Sequence, residues 1–214
     1  LGLAGRPAGA AELRVAMIDW ALLETLLALG VTPVAAAELT LFRRIAVEPP
    51  LPPAVADIGL RGTPNYEALR FAAPDLIFSS NFYVWAEPKL RLVAPVETLS
   101  VYGRDRPPFA MAEEVTLALG ERTGRLAEAL ALIERAQTEL AALRTEVEGG
   151  DGLPLMLINL GDARHFRVFG ADSMFGAVLD RLGLANAWTA PTSYAATAPI
   201  GIERLAQVPE AWIV

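Results

Sequence analysis

The stretch RVAMIDWALLETLLALG, residues 14–30, decides the fold of the first half of the chain. Its first part, residues 14–19, is a short apolar run that includes β-branched residues, which predicts a buried strand. From Trp20 onward, leucines recur at positions that suit a buried helix, and Gly30 ends that helix. A strand that leads directly into a helix is the first half of a parallel β/α unit.

The same alternation continues toward residue 101. We predict a stiff Pro-rich connection at 48–53, further strands within 33–37, 75–79 and 96–101, and helices within 65–73 and 87–93. Strands that alternate with helices of this length form a mainly parallel sheet with helices on both faces. Such sheets bind ligands beyond the carboxyl ends of their strands. We therefore expect the loops after Asp19, Ser79 and Leu160 to carry the function.

Residues 108–150 have a different pattern, with apolar residues at helical spacing among Glu, Arg and Gln. A continuous helix over 123–148 would be about 39 Å long. The strand pattern resumes in PLMLINL, residues 154–160. We predict an α/β protein with two Rossmann-like lobes, 13–107 and 151–214, whose mainly parallel sheets are joined by one long helix, with the ligand cleft between them. A single doubly wound domain with one outsized helix is the alternative.

Both ends of the sequence carry an expectation. Residues 1–12 are small and apolar, with an A-x-A-like site at Ala8 to Ala10, and resemble either the remnant of a secretory signal or a flexible leader. Trp212 to Val214 stop within a predicted buried strand, so we expect the C-terminal lobe to be incomplete. No run approaches the roughly 20 apolar residues that cross a bilayer, which favours a soluble, exported chain.

Composition excludes several classes of function. The 214 residues are 53% hydrophobic, enough for a sizeable core, and carry a formal net charge of −7, which argues against nucleic acid or an anionic membrane surface as the main partner. The chain has no cysteine and one histidine. Disulfides, thiolate nucleophiles, iron–sulfur clusters, Cys-based zinc sites and multi-His metal sites are therefore excluded.

Catalytic motifs are missing as well. The sequence contains no phosphate-binding loop, no dinucleotide fingerprint after a strand and no nucleophile elbow. The histidine, His165, can act as a base only if a serine and a carboxylate converge on it, and a local structural role is the commoner one. A doubly wound hydrolase or transferase that uses Asp19, Asp162 or His165 is the alternative from another class.

Aromatic and cationic residues in predicted loops are the more informative features. Arg61 stands between Gly59 and Gly62, just before a helix that Thr63 or Asn65 caps. Residues 79–85 place Phe82, Tyr83 and Trp85 in one loop, although these rings can also pack beneath it. In the second half, Trp188 and Tyr194 flank a polar loop. Aromatic rings with one guanidinium suit a bulky, partly apolar ligand rich in oxygen acceptors.

Several segments together resemble one known family. They are RVAMIDWALLETLLALGVTPV (14–34), EPPLPPAVADIGLRGTPNYEAL (48–69), APDLIFSS (73–80) and DARHFRVFGADSMFGAVLDRLGLANAW (162–188). The chain resembles the periplasmic ferric-hydroxamate (ferrichrome-type) siderophore-binding proteins, the helix-linked class of substrate-binding proteins of ABC importers. The resemblance implies a monomer in the periplasm that catalyses nothing. It would bind a ferric siderophore without a cofactor, hold iron only within the chelate and deliver it to an inner-membrane permease.

The resemblance also implies roles for individual residues. In the first lobe, Arg61 resembles the arginine that hydrogen-bonds the hydroxamate oxygens and Tyr83 its tyrosine partner, with Trp85 as a further contact. Ile45 replaces an aromatic residue of the family. Each lobe of such proteins docks on the permease through an acidic residue, and Glu87 and Glu203 stand near those places.

In the second lobe, the ligand-contacting Asn, Trp and Ser of the family align with Ser193, Ala195 and Thr197. Tyr194 can replace the missing tryptophan ring. Arg167 stands where the family has an apolar contact, and a second arginine favours a more anionic chelate, such as one with carboxylates. A cobalamin or haem carrier of the same architecture is the nearest alternative.

Overall fold

The computed structural model describes residues 13–103, 106–193, 196–208 and 210–214. The predicted leader, residues 1–12, and two predicted second-lobe positions, Tyr194 and Ala195, lie outside this described part of the chain. The chain divides into two compact units. The first comprises the residues up to Leu99 together with Leu119–Glu128, and the second comprises Ser100–Ala118 and Ala129–Val214.

Strands and helices alternate along the first unit, as the sequence predicts. In the part of the chain that the structure describes, the α-helices are α1 (Trp20–Ala28), α2 (Leu39–Ile45), α3 (Tyr66–Phe71), α4 (Glu87–Leu90), α5 (Pro108–Thr123), α6 (Leu126–Val147) and α7 (Met174–Leu182). The strands of the first unit are β1 (Val15–Met17), β2 (Ala35–Ala36), β3 (Ala56–Asp57), β4 (Leu76–Ser79) and β5 (Val96–Thr98). Among the described residues, no helix is both long and apolar enough to cross a membrane.

The five strands of the first unit form one parallel sheet in the order β3-β2-β1-β4-β5. The central strand is fully buried, and its residue Met17 pairs with Ala36 on one side and Phe78 on the other. Because the strands are parallel, the residues that follow them meet at one edge. This confirms the parallel sheet that the alternation predicts, and it places the loops after β1, β2, β3 and β4 together.

Helix α1 anchors the core of this unit. Leu22, Leu23 and Leu26 are fully buried, and the helix stops at Leu29, after which Gly30 adopts a left-handed φ of 75°. A glycine takes that conformation without the steric cost that other residues bear. The strand and helix predicted within residues 14–30 are confirmed.

The second unit contains short strands with mixed pairing. They are β6 (Leu155–Met156), β7 (Ile158–Leu160), β8 (His165–Val168), β9 (Ile200–Gly201) and β10 (Trp212–Ile213). Strand β10 pairs parallel with β6, whereas β7, β8 and β9 form an antiparallel sheet. The loop after Leu160 is therefore a hairpin turn back into β8, and the expectation that it follows a parallel strand is wrong.

Two further expectations for the second half are settled by the described residues. The long helix predicted over 123–148 is α6, with 22 residues, and Gly124, at a left-handed φ of 69°, separates it from α5. The strand predicted at Trp212 exists, but it is not buried, because Trp212 is 57% exposed.

Candidate functional site

Polar side chains cluster where β1 and β4 end in the first unit. Asp19 follows β1, and its Oδ1 accepts hydrogen bonds from the backbone N–H of Ala21 (2.8 Å) and Leu22 (3.3 Å) at the start of α1. Its other oxygen, Oδ2, accepts a bond of 2.6 Å from the hydroxyl of Ser80, which follows β4. The carboxylate is 8% exposed and Ser80 is 2% exposed. This buried bond ties the ends of two neighbouring strands together beneath the edge of the sheet.

Arg61 lies at the same edge, in the loop that follows β3. Its Nε donates a hydrogen bond of 2.7 Å to Oε2 of Glu38, which precedes α2. Its guanidinium lies over the ring of Trp20, 3.8 Å from the ring centroid. Burial alone lowers the pKa of Arg61, but the hydrogen bond that Arg61 donates to Glu38 and the nearby Tyr83 outweigh it and raise that pKa. The arginine is therefore a fully charged hydrogen-bond donor whose position is fixed by Glu38 and Trp20.

The ring beneath the guanidinium is itself fixed. The Nε1–H of Trp20 donates a hydrogen bond of 2.9 Å to the carbonyl oxygen of Ala37, and its ring meets Phe42 edge to face at 5.5 Å. A cation over an aromatic face is attracted by the ring's negative charge density. Trp20 thus supports Arg61 from below, with its own polar group satisfied by the backbone.

Tyr83 completes this group. It lies in a 3₁₀ segment, Asn81–Ala86, where the sequence analysis expects a loop. Its hydroxyl lies near the guanidinium of Arg61, and each group affects the pKa of the other. Burial, and then the negative charge of Asp19, raise the pKa of Tyr83, while Arg61 opposes that rise. The hydroxyl therefore stays protonated at neutral pH and can donate a hydrogen bond.

The other rings of the segment are largely exposed. Trp85 is 55% exposed and Phe82 is 54% exposed, so burial beneath the loop does not account for them. Ile45, which replaces a family aromatic residue, is also exposed and ends α2. The first unit thus presents two neighbouring side chains that can donate hydrogen bonds, Arg61 and Tyr83, together with exposed apolar and aromatic surface.

In the second unit the structure brings two of the predicted residues together. Arg167, an exposed residue of β8, donates through Nη1 to the carbonyl oxygen of Thr197 at 3.3 Å. The Oγ1 of Thr197 accepts a bond of 3.2 Å from the backbone N–H of Val168. Ser193 lies elsewhere, in a left-handed conformation (φ 54°) at the wall of a cleft of about 1180 Å³ that Asp172 and Arg181 also line.

Trp188 and His165 have local structural roles. The ring of Trp188 packs against the small core of the second unit, around Phe166. His165 is exposed, and its Nδ1 lies 3.0 Å from each carboxylate oxygen of Asp162. Asp162 also accepts the backbone N–H of Arg164 at 2.7 Å, which is the pattern of a turn. The expectation of a local structural histidine is consistent with this geometry.

The two acidic residues aligned with docking positions differ in their surroundings. Glu87 begins α4, and its carboxylate accepts hydrogen bonds from the hydroxyl of Thr98 and from Nη2 of Arg91 (3.0 Å). These two bonds, with that of Thr98 the stronger, hold the pKa of Glu87 below its ordinary value. Glu203 is exposed in a 3₁₀ segment, Ile202–Gln207.

Trp20, Glu38 and Ser80 were not predicted as members of this group, and Asp19 was predicted only as a catalytic residue of the alternative enzyme. A signal existed for Trp20, because a tryptophan directly after a predicted parallel strand lies at the ligand-binding edge. No sequence signal points to Glu38, whose partner Arg61 is 23 residues away. Among the described residues, no group of three or more His, Cys, Asp or Glu residues is placed to hold a metal ion.

Side chains that donate hydrogen bonds, fixed at the carboxyl edge of a parallel sheet, are typical of a ligand-binding unit. Comparison with known proteins identifies the family. The model of a family described as "Periplasmic binding protein" matches residues 15–214. The chain belongs to this family.

A similar protein within this family points to a more specific group. The chain is 34% identical over 200 residues to the iron(3+)-hydroxamate-binding protein FhuD of Escherichia coli (strain K12), covering 90% of this chain. It spans 65% of the length of that relative. The resemblance to ferric-hydroxamate-binding proteins is therefore confirmed.

Solved structures of siderophore-binding proteins are also similar to this chain. The siderophore-binding protein FhuD from Vibrio cholerae, crystallised with Fe³⁺–Desferal, matches with a TM-score of 0.87 and 26% identity over 95% of this chain and 77% of its own. The periplasmic catecholate-siderophore binding protein VctP from Vibrio cholerae matches with a TM-score of 0.71 at 18% identity, over 91% of this chain and 68% of its own. The second likeness shows a shared fold alone.

Proposed function

We propose that this chain is the binding component of an ABC importer, and that it binds a ferric siderophore of the hydroxamate type for delivery to an inner-membrane permease. The observation that carries the proposal is Arg61, held between Glu38 and the ring of Trp20 with the Tyr83 hydroxyl beside it. The similarity to FhuD of Escherichia coli, whose name states hydroxamate binding, supports the same ligand class.

The chemistry of the ligand suits these groups. A ferric tris-hydroxamate presents coordinating oxygens that carry partial negative charge, and both the guanidinium and the phenol hydroxyl donate hydrogen bonds to such oxygens. The exposed rings of Phe82 and Trp85 can pack against the organic part of the chelator. In this proposal iron is cargo, bound only through its chelator, and the protein needs no cofactor and catalyses no reaction.

The partners and place of action follow from the same proposal. Glu87 and Glu203 would each contact the permease, the ligand-bound protein would act as a monomer, and it would act in the periplasm. Arg167, Ser193, Tyr194 and Thr197 would contact the chelate from the second unit.

The test is calorimetric titration with a neutral ferric tris-hydroxamate, with a ferric carboxylate siderophore, cobalamin and haem as comparators. We expect saturable binding of the hydroxamate. We expect the Arg61→Ala variant to bind it about 10- to 150-fold more weakly, the worth of one charge-assisted hydrogen bond at roughly 1.5–3 kcal/mol. Arg70→Ala, which removes an exposed arginine from α3 of the same unit, is the matched control and should bind normally.

Two further outcomes would decide against the proposal. Saturable binding of cobalamin or haem without binding of the hydroxamate would move the chain to another ligand class. Hydroxamate binding that Arg61→Ala leaves unchanged would show that the ligand does not use this edge of the sheet. Urea unfolding of each variant separates lost binding from lost folding.

A further inference from the structure

Glu38 combines an unfavourable backbone conformation with a specific contact. Its φ of 58° and ψ of 44° lie in the left-handed region, which is costly for residues other than glycine and is visited chiefly by Asn and Asp among the rest. Its backbone N–H donates to the carbonyl oxygen of Gly59 at 2.7 Å, and its carbonyl accepts from Phe42 at 3.0 Å. The surrounding backbone therefore holds the residue in this conformation, with its carboxylate against Arg61.

The carboxylate changes the charge of the candidate site without removing its donors. A guanidinium has five N–H donors, and Glu38 occupies the one on Nε of Arg61. The other four N–H groups, on the terminal nitrogens, are not used by this bond and can donate to a ligand. The pair nevertheless carries no net charge, because one cation faces one anion at 2.7 Å.

Other charges near Glu38 do not reverse this balance. Arg44 and Asp57 line a hollow of about 240 Å³ beside Glu38, and their opposite charges offset each other. Asp57 also accepts the backbone N–H of Gly59 at 2.9 Å. Beneath the site lies the buried carboxylate of Asp19, whose charge is felt at the hydroxyl of Tyr83. The edge that presents Arg61 is therefore neutral to slightly negative.

We propose that Glu38 is a specificity-determining residue that makes this edge prefer neutral or cationic ferric chelates over anionic ones. This inference rests on the proposed function. An arginine without a carboxylate partner attracts anionic chelates through its net charge, whereas an arginine paired with Glu38 recognises oxygen acceptors by hydrogen bonding alone. This proposal is the opposite of the expectation drawn from Arg167, which is a preference for anionic chelates.

The experiment varies ligand charge while keeping the iron centre constant. The probes are three ferric complexes of one linear tris-hydroxamate, whose terminal amine is free (charge of about +1), acetylated (about 0) or succinylated (about −1). Calorimetric titrations at low ionic strength compare the unaltered protein with Glu38→Gln, which keeps a side-chain oxygen as acceptor and loses the charge. Glu38→Asp keeps the charge, and Glu67→Gln removes one carboxylate from the exposed surface of α3 as a control.

We expect the unaltered protein to bind the succinylated complex most weakly. In Glu38→Gln, the affinity of the succinylated complex relative to the acetylated one should rise about 5- to 10-fold, the Coulomb effect of one charge at roughly 8 Å in a half-aqueous medium. The rise should shrink in high salt. Glu38→Asp and Glu67→Gln should keep the original ranking.

Each other outcome is decisive. If the unaltered protein binds the series but Glu38→Gln changes all three affinities equally or leaves them unchanged, the inference is overturned and the proposed function stands. If the unaltered protein prefers the succinylated complex, the inference is overturned in favour of the expectation from Arg167. If no complex binds, both the inference and the proposed function fail.

Discussion

The buried bond between Asp19 and Ser80 predicts a measurable coupling between two strand ends. Replacing Asp19 by Ala removes the N-cap of α1, which costs about 0.5–2 kcal/mol, and leaves the hydroxyl of Ser80 buried without its acceptor, which costs about 1–3 kcal/mol. The sum predicts a loss of about 1.5–5 kcal/mol in the free energy of unfolding. Ser80→Ala leaves one carboxylate oxygen without its donor, so we expect a loss of about 1.5–3 kcal/mol.

The double variant gives the sharper test. Once Asp19 is gone, removing the hydroxyl of Ser80 should cost little, so the two losses should fall short of additivity by nearly the whole Ser80→Ala loss, about 1.5–3 kcal/mol. Urea unfolding followed by far-ultraviolet circular dichroism measures the free energies. Hydrogen exchange in peptides covering residues 14–30 shows whether the loss lies in the first unit.

Asp19→Asn is the control for charge, because its single amide oxygen can still cap α1, while the NH2 group in place of Oδ2 can donate to the hydroxyl oxygen of Ser80. We expect it to lose less than Asp19→Ala. Losses from Asp19→Ala and Ser80→Ala that add within about 0.5 kcal/mol would refute the reasoning, since the two side chains would then act independently.

Further predictions concern other parts of the chain. The hydrogen bonds that lower the pKa of Glu87 stabilise the fold above the pKa of an unfolded carboxyl, and that contribution is lost as the pH falls through the lowered value. Glu87→Gln should therefore lower the urea midpoint at about pH 7, and the difference should shrink as the pH falls below the lowered pKa of Glu87. Gly176→Ala places a Cβ within 2.6 Å of the Cα of Ala171, so it should destabilise the second unit by about 3 kcal/mol, measured by urea unfolding. Arg14 donates to the carbonyl oxygens of Ala72 (2.6 Å) and Ala73 (2.9 Å) beyond α3, so Arg14→Ala should cost about 1–2 kcal/mol in the same assay. Ala73, at a φ of 46°, should gain about 1 kcal/mol on replacement by Gly, seen as a higher melting temperature.

The parallel sheet was predictable because its information is local. Each predicted strand of the first unit is a short apolar run next to a segment with helical spacing of apolar residues. The burial of Met17 and Leu26 follows from these two patterns. Strand β3 has two residues, Ala56 and Asp57, both exposed, so it leaves no such pattern. The antiparallel hairpin of the second unit had a signal in Gly161 and Asp162, turn residues between two apolar runs, which the prediction of one continuous parallel pattern overlooked.

The candidate site was predictable only in part, for a different reason. Arg61 and Tyr83 could be located from the resemblance, because it aligns single positions. Their supports could not, because Glu38 and Trp20 reach Arg61 across the sheet edge, and their contacts depend on which strands are neighbours. No local sequence pattern specifies the strand order of a parallel sheet. Contacts between residues far apart in sequence can therefore be identified only once the fold is known.

These supports decide what binding a ligand would cost. Free arginine side chains lose considerable rotamer freedom when a ligand immobilises them. Arg61 already has its Nε bonded to Glu38 and its plane resting 3.8 Å above Trp20, so much of that loss is incurred when the protein folds. Trp20→Leu removes the ring beneath Arg61 but keeps the arginine and its charge. We therefore expect weaker chelate binding in this variant, with a less favourable binding entropy measured by calorimetry. An unchanged entropy with reduced affinity would instead mean that the ring of Trp20 acts by contacting the ligand itself.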